Sequence, residues 1–224
     1  MQFFNFIIVV YTCIAIPVSG YFEQRRLKLA TSEASKERAY FVLHGVYWIA
    51  ALPVVLTDPS VIWVRHSLEL GWLWHTLFVA VLVYLIVFNV LPLILIRYNE
   101  DLKAEAMRSY HKRQHTFPTT NHQQRLFVWV SITVGITEEI LYRGFLYNYG
   151  IEQWGLSGIA SAILVSAVFG LVHFAQGPSG IISSFIFGVV MAWLYFLTSN
   201  LLLPILMHIL YDMKIIMIQR SVIK

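Results

Sequence analysis

The chain has 224 residues, of which 58% are hydrophobic and only 12% carry a charge. About a quarter of the residues in a soluble domain of this length are charged, because a solvated surface must enclose the core. This composition excludes an ordinary soluble domain, and the lone Cys13 excludes an internal disulfide and a zinc site built from cysteines. We therefore expect an all-α fold, a polytopic membrane helix bundle.

Hydrophobic segments long enough to cross a bilayer, which takes about 20 residues of helix, recur along most of the chain. The seven predicted transmembrane helices cover residues 3–22, 40–57, 76–96, 126–149, 157–174, 180–197 and 201–218. We expect the first to be a retained helix, because MQFFNF lacks the basic residues that begin a cleaved signal peptide. Residues 58–75 have room for an interfacial or re-entrant helix, and AEAMRSYHKR at 104–113 predicts an amphipathic helix on the membrane surface.

Basic residues are concentrated in two loops and in the C-terminal tail, and they indicate how the helices are oriented. They are Arg25, Arg26, Lys28, Lys36, Arg38, Arg97, Lys103, Arg108, Lys112, Arg113, Arg125, Lys214, Arg220 and Lys224. The positive-inside rule assigns these segments to the cytoplasm, so seven spans put the N-terminus outside and the C-terminus in the cytoplasm. Loops that face anionic membrane lipids explain the net charge of +4 without a nucleic-acid partner. We expect an integral, multi-pass protein of a bacterial cytoplasmic membrane.

Ionisable residues inside the predicted spans are few, and most of them lie in the second half of the chain. Each costs about 3 kcal/mol near the bilayer centre on insertion scales, so such residues normally face the interior of a bundle and mark function. They are Glu138, Glu139, Arg143, His173, His208 and Asp212. His44, in the second span, is an exception, because a single histidine on an apolar helix is ordinarily a hydrogen-bonded packing residue.

The spacing of the two glutamates and the arginine predicts which of them pair. Glu139 and Arg143 lie four positions apart on one helix, so each side chain lowers the cost of burying the other. Glu138 is rotated by about 100° from its neighbour and is left without a partner. We interpret the first pair as structural and Glu138 as the carboxylate available for chemistry.

Two later helices also present polar groups at helical spacing. Phe169 and His173 share a face in VFGLVHF, and His208 and Asp212 share a face in MHILYD. If these helices pack beside Glu138, they form one intramembrane polar site with two carboxylates and two imidazoles. Such a cluster indicates a functional site rather than isolated hydrogen bonds between helices.

Other interpretations of this cluster remain open. The protein could be a non-catalytic membrane scaffold that binds lipidated or transmembrane peptides. It could also be a proton-coupled carrier, because carboxylates and histidines on several helices also build proton relays. GPSG at 177–180 matches the GxSG of rhomboid serine proteases, with His208 as the base. We disfavour that reading because Ser179 and His208 lie at different depths, and we expect Ser179 to cap the following helix.

Three motifs in this half of the chain carry a family resemblance. EEILYR reads as EExxxR, FGLVH as FxxxH and HILYD as HxxxD, in that order and on separate helices. The combination resembles the CPBP family of intramembrane proteases, the CAAX protease and bacteriocin-processing (Abi) family, which includes the type II CAAX prenyl endopeptidases. The resemblance covers about residues 126–218. We accordingly divide the chain into N-terminal helices with basic loops (1–125) and a catalytic helical core (126–224).

The resemblance implies hydrolysis of a peptide bond in a membrane-embedded protein or lipidated peptide. Glu138 would activate a water molecule that His173 helps to hold, and His208 and Asp212 would stabilise the oxyanion. The residues implied as structural support are Glu139, Arg143 and Phe169.

Asp212 departs from the pattern, because the prenyl endopeptidases carry asparagine at this position. An ionised aspartate would repel an oxyanion, so Asp212 would have to be protonated, orient His208 or bind a metal. Glu138, His173, His208 and Asp212 could hold a zinc ion with an open position for water. We favour a mechanism without a cofactor, because HExxH is absent and a metal would consume the carboxylate proposed as the base.

Overall fold

The computed structural model describes residues 2–29, 32–65 and 71–222, and within them the chain forms eight helices. The helices are α1 (2–29), α2 (Glu33–Thr57), α3 (Leu73–Leu95), α4 (Glu100–Arg113), α5 (121–154), α6 (Gly158–Val172), α7 (Pro178–Thr198) and α8 (Leu202–Val222). The described part of the chain contains no β-strand, and its one isolated bridge joins Trp63 to Asn200. The prediction of an all-helical membrane protein is confirmed.

Five of the described helices are long and apolar enough to cross a membrane. They are Phe3–Leu29, Glu33–Thr57, Leu73–Leu95, Pro178–Thr198 and Leu202–Arg220. The predicted fifth span, 157–174, is shorter than expected, because α6 has 15 residues. It ends where His173 leaves the helical conformation and a 3-10 turn, Phe174–Gln176, begins. The predicted fourth span, 126–149, lies within the longer α5, whose buried charges set it apart from the five apolar helices.

Helix α5 contains a π-helical segment at the position where the polar residues lie. Asn121–Glu139 is α-helical, Ile140–Leu146 is π-helical, and Tyr147–Trp154 returns to the α-helix. A π turn adds a residue and changes the direction of the side chains that follow it, and such turns occur frequently at functional sites. The helix ends at Gly155, which has a left-handed backbone (φ 65°) that glycine adopts at little cost.

Helices α2 and α5 pack side by side and run in the same direction. The ring of Tyr40 contacts that of Phe127 with centroids 5.8 Å apart. Further along both helices, Nδ1 of His44 lies 2.7 Å from Oγ1 of Thr133. These contacts follow the same chain order on both helices, so the two helices run parallel. The expectation that His44 is a hydrogen-bonded packing residue agrees with this contact.

Helix α8 packs on α5 in the opposite direction, and a glycine allows the two backbones to approach closely. A Cβ atom at Gly135 would lie 2.6 Å from Cγ1 of Ile209 and 3.1 Å from its backbone nitrogen. Nearer the start of α5, the side-chain amide of Gln219 accepts a hydrogen bond from Gln124 at 3.1 Å. The close contact at Gly135 is one turn before the two glutamates, so it brings α8 next to them.

The remaining elements enclose this central group of three helices. Helices α6 and α7 form an antiparallel pair, and α4 docks on α8 through Tyr110, whose hydroxyl accepts from Gln219 at 3.0 Å. The amphipathic helix predicted at 104–113 is part of α4. In the stretch predicted to hold an interfacial helix, Pro59–Ile62 forms a 3-10 turn. Residues 66–70 of that stretch and Lys224 of the basic tail lie outside the described residues.

Candidate functional site

The two adjacent glutamates of α5 are buried and point toward different neighbours. Glu138 is 3% exposed and Glu139 is fully buried. Glu138 faces α2 and α8, whereas Glu139 faces α8 and the π-helical segment of its own helix. The rotation expected between neighbouring helical positions therefore separates the two carboxylates into different surroundings.

Glu139 and Arg143 form the ion pair that their spacing predicts. A guanidinium N–H of Arg143 donates to Oε1 of Glu139 at 2.9 Å, and another donates to the carbonyl of Gly188 in α7 at 3.1 Å. The guanidinium also lies 4.7 Å from the ring centroid of Phe169. A buried arginine needs such partners, because an uncompensated charge is expensive in a low-dielectric interior. This group of contacts links α5, α6 and α7.

Sequence reasoning missed that Glu139 also holds His208. Nδ1 of His208 lies 2.8 Å from the same Oε1 atom that accepts from Arg143. Because a carboxylate oxygen can only accept, we assign the proton of this hydrogen bond to Nδ1. Glu139 thus fixes both the orientation of the imidazole and its tautomer, a role that the interpretation of a purely structural Glu139–Arg143 pair did not include.

The expectation that Glu138 has no partner is wrong, because the hydroxyl of Tyr47 in α2 donates a hydrogen bond to its Oε1 atom. The other oxygen, Oε2, is buried and forms no hydrogen bond within the described residues. It lies 3.7 Å from Nε2 of His208. Glu138 therefore has one oxygen that is held by the protein and one that faces an imidazole nitrogen.

Tyr47 was not a predicted site residue, although the sequence contained a signal for it. Tyr40, His44 and Tyr47 are spaced by four and three positions, which lines one face of α2 with polar groups. The signal was incomplete because helical spacing does not reveal which neighbouring helix such a face meets. The structure shows that it meets α5.

His173 lies at the end of α6 and is half-buried. Its Nδ1 atom donates to the carbonyl of Phe169 at 2.7 Å, which leaves Nε2 as the nitrogen available for other contacts. The ring of Phe169 connects the two histidines, with centroids 4.8 Å from His173 and 6.2 Å from His208. Within the described residues, His173 forms no hydrogen bond or ion pair with Glu138 or His208, so the structure brings it near the group only through Phe169.

Asp212 follows His208 by one turn of α8 and is half-buried. It interacts electrostatically with His208, Glu138 and Glu139. In the part of the chain that the structure describes, no hydrogen bond to its carboxylate is present. Of the four side chains predicted to share a site, Glu138 and His208 thus face each other directly, and Asp212 acts on them through its charge.

The donor set does not fit a metal ion in this conformation. Among residues 2–29, 32–65 and 71–222, no three His, Cys, Asp or Glu side chains are arranged so that they could hold one. The bonds of Nδ1 in His208 and His173 leave Nε2 of each ring available, so it is the arrangement of the four side chains, and not the lack of a donor atom, that does not fit. We therefore derive no chemical step through a metal.

The serine of GPSG has none of the contacts that a nucleophile requires. Ser179 is exposed in the first turn of α7, whereas His208 is buried and bonded to Glu139. The prediction that Ser179 caps α7 is also wrong, because the residue that precedes the helix is Gly177 and Pro178 occupies its first turn. The left-handed backbone of Gly177 (φ 83°) makes the turn from the 3-10 segment into α7.

One comparison with known proteins gives a match. Residues 121–213 match the family model described as type II CAAX prenyl endopeptidase Rce1-like. The matched segment begins with the first residue of α5 and includes Asp212 in α8, so it contains every predicted site residue. No curated protein and no solved structure matches the chain.

Proposed function

Residues 121–213 belong to the CAAX protease family, and from this premise we propose that the protein is an intramembrane endopeptidase. The family implies a protease that acts on membrane-associated, prenylated proteins. The proposed reaction is hydrolysis of one peptide bond in such a lipidated or membrane-embedded segment. The observation that carries the proposal is the pair of facing atoms, Oε2 of Glu138 and Nε2 of His208, which are 3.7 Å apart.

In the proposed mechanism, Glu138 is the general base. A water molecule within reach of both Oε2 of Glu138 and Nε2 of His208 would be polarised between them, since a gap above 3.5 Å between polar atoms suits a bridging water. Glu138 takes a proton from this water as its oxygen attacks the scissile carbonyl carbon. The same carboxyl group then returns the proton to the leaving amine as the C–N bond breaks.

His208 is proposed to stabilise the negative charge that develops on the carbonyl oxygen. Its ring is fixed by Glu139 before substrate binds, so little reorganisation is needed when the charge develops. In this role Nε2 carries the proton that the oxyanion accepts, and the carboxylate of Glu139 offsets the positive charge of an imidazole protonated on both nitrogens. Asp212, one turn further along α8, would help His208 to stabilise the oxyanion, and His173 would hold the water from the side of α6.

The proposal extends to the arrangement of the helices in the membrane. We propose seven spans, in which α5 and the short α6 also cross the bilayer, with the N-terminus outside and the C-terminus in the cytoplasm of a bacterial inner membrane. The parallel contacts of α2 with α5 and the antiparallel contacts of α5 with α8 support this arrangement. Residues 1–125 then form the N-terminal helices and 126–224 the catalytic core. We propose that catalysis requires no cofactor.

The proposal is tested with protein purified in detergent and a fluorogenic prenylated peptide. Replacement of Glu138 by glutamine keeps the size and hydrogen-bonding ability of the side chain but removes the base. We expect cleavage to fall to the level of a protein-free control while the unfolding temperature stays close to that of the wild type. Cleavage at the wild-type rate by the folded Glu138→Gln protein would rule out this base, whereas absence of cleavage by the folded wild-type protein would favour a scaffold or a proton-coupled carrier.

A further inference from the structure

Tyr47 lies outside the segment that matches the protease family, yet it contacts the central residue of the proposed site. It belongs to α2, 91 positions before Glu138, and its hydroxyl donates to Oε1 of that carboxylate. A tyrosine hydroxyl buried among apolar helices normally finds a hydrogen-bond partner. A backbone carbonyl would satisfy this need, as the carbonyl of Thr116 does for Tyr40. Tyr47 instead donates to a carboxylate of the proposed site, so its hydrogen bond bears on the chemistry there.

The turn of α2 that carries Tyr47 is held in place from two sides. One turn earlier, His44 bonds to Thr133 of α5 at 2.7 Å, which fixes the register of α2 against α5. On the other side, the hydroxyl of Tyr11 in α1 donates to the carbonyl of Val46 at 3.1 Å. These contacts restrain the backbone on both sides of the tyrosine. The packing of α2 against α1 and α5 therefore fixes where the Tyr47 hydroxyl lies relative to Glu138.

The hydrogen bond from Tyr47 distinguishes the two oxygens of the Glu138 carboxylate, which are otherwise chemically equivalent. Tyr47 holds Oε1, and within the described residues Oε2 has no hydrogen-bond partner. Oε2 is the oxygen that faces Nε2 of His208 at 3.7 Å. A rotation of the carboxylate about its terminal bond would break the bond to Tyr47. The tyrosine thus fixes the plane of the carboxylate, with the oxygen that it does not bind directed at the imidazole.

We propose that Tyr47 is a positioning residue of the active site, which holds one oxygen of Glu138 so that the other is directed at the attacking water. This inference rests on the proposed function of Glu138. It also assigns a role in the reaction to the N-terminal helices, which lie outside the matched segment.

The experiment compares Tyr47→Phe with Tyr40→Phe in full-length protein, using the prenylated peptide assay. Both changes remove one hydroxyl from a tyrosine of α2 and one hydrogen bond, and both keep the ring. Tyr40 donates to a carbonyl away from the site, so it controls for the structural cost of the change. We expect Tyr47→Phe to lower kcat about ten- to a hundred-fold with little change in KM, because a misplaced catalytic group slows the chemical step. Tyr40→Phe should keep the wild-type kcat.

Rescue by a second variant separates positioning from a structural effect. Tyr47→Gln lacks the ring but retains an N–H group that can donate to Oε1 of Glu138, so it should recover part of the kcat that Tyr47→Phe loses. A role of the aromatic ring in packing alone predicts the opposite order, with Tyr47→Gln the slower of the two. A folded Tyr47→Phe protein with the kcat of Tyr40→Phe would overturn the proposal.

The two proposals fail in different ways. If Glu138→Gln abolishes cleavage and Tyr47→Phe resembles the wild type, the base assignment stands and the role of Tyr47 is refuted. If Glu138→Gln cleaves at the wild-type rate, the assignment of Glu138 as the base fails, and with it the role of Tyr47. Should Tyr47→Phe not fold, Tyr47→Met, which also lacks a donor for Oε1 of Glu138, replaces it in the comparison, and a wild-type kcat in that variant would refute positioning by the tyrosine hydroxyl.

Discussion

Nε2 of His208 and Oε2 of Glu138 face each other at 3.7 Å across the contact between α8 and α5. This distance is too long for a direct hydrogen bond. The other polar atom of each side chain is held, Nδ1 of the imidazole by Glu139 and Oε1 of the carboxylate by Tyr47. The gap is therefore set by how closely the two helices pack, and its width depends on residues that have no chemical role themselves.

Gly135 is the residue that sets this packing, so Gly135→Ala should impair both stability and cleavage. The added Cβ would lie 2.6 Å from Cγ1 of Ile209 and 3.1 Å from its backbone nitrogen. Relief requires α8 to move away from α5, which carries His208 away from both glutamates. We expect a loss of stability of about 1–3 kcal/mol, typical of overpacking, together with a lower kcat. Thermal unfolding in detergent and the peptide assay measure the two effects.

Gly45→Ala is the matched control for this change. A Cβ at Gly45 meets no atom within 4 Å, so the same substitution in α2 adds helix propensity without a clash. Replacing glycine by alanine inside a helix is favourable by up to about 1 kcal/mol. If Gly135→Ala unfolds at the same temperature as Gly45→Ala and cleaves equally fast, α8 is not held in place by this contact.

Glu139→Gln should destabilise the protein much more than Glu138→Gln, although both should impair cleavage. Glu139→Gln leaves Arg143 buried without its ion-pair partner and weakens the bond to His208. Removal of one partner of a buried ion pair costs about 3–5 kcal/mol. Glu138 pairs with no arginine or lysine in the described residues, so its replacement removes no such partner. Unfolding curves of the two variants, measured side by side, test this difference. Equal destabilisation by both would contradict the division of roles between the adjacent glutamates.

Contacts within one helix could be predicted from the sequence, whereas contacts between helices could not. The Glu139–Arg143 pair follows from a spacing of four positions, because helical periodicity alone brings such side chains together. The bond from Tyr47 joins residues 91 positions apart, and that from His208 to Glu139 joins residues 69 apart. Such contacts depend on which helices are neighbours and at what register, and the polarity pattern of a single helix contains neither.

The orientation of His173 could not be predicted for a similar physical reason. Placing His173 and Phe169 on one face of a helix assumed that the helix continues through both residues. The structure ends α6 at Val172, and His173 turns back to bond to the carbonyl of Phe169 at 2.7 Å. An apolar sequence gives little indication of where a helix inside a membrane stops, so the orientation of a residue at its end is the least predictable feature.

Lys214→Met should loosen α3 from the rest of the bundle. Pro92 lacks the N–H that an α-helix would offer to the carbonyl of Phe88. Lys214 of α8 supplies a donor instead, at 3.0 Å from that carbonyl and 3.2 Å from Oδ1 of Asn89. A hydrogen bond from a charged group contributes about 1.5–3 kcal/mol, and we expect a loss of stability in that range. Lys103→Met is the control, because the ion pair that Lys103 forms within the described residues is with the exposed Glu100 and should contribute little.

The double variant Pro92→Ala/Lys214→Met tests the cause of that loss. With alanine at position 92, the carbonyl of Phe88 can accept from an N–H of its own helix, so loss of the lysine should cost less than in the wild-type background. The interaction term of the double-mutant cycle, obtained from four unfolding measurements, isolates this coupling. Strictly additive effects would show that Lys214 does not compensate for the proline.

Asp212→Asn should preserve or raise the cleavage rate, whereas Asp212→Leu should lower it. Asp212 interacts electrostatically with His208 and Glu138, but it forms no hydrogen bond within the described residues. If its contribution to the oxyanion is as a donor, asparagine supplies N–H groups without the repulsion of an ionised carboxylate, so kcat should not fall. Leucine has a similar volume but offers no polar atom. The decisive comparison is kcat for the two variants at one pH: a large fall with asparagine, matching that with leucine, would show that the charge of Asp212 on His208 is what the reaction uses.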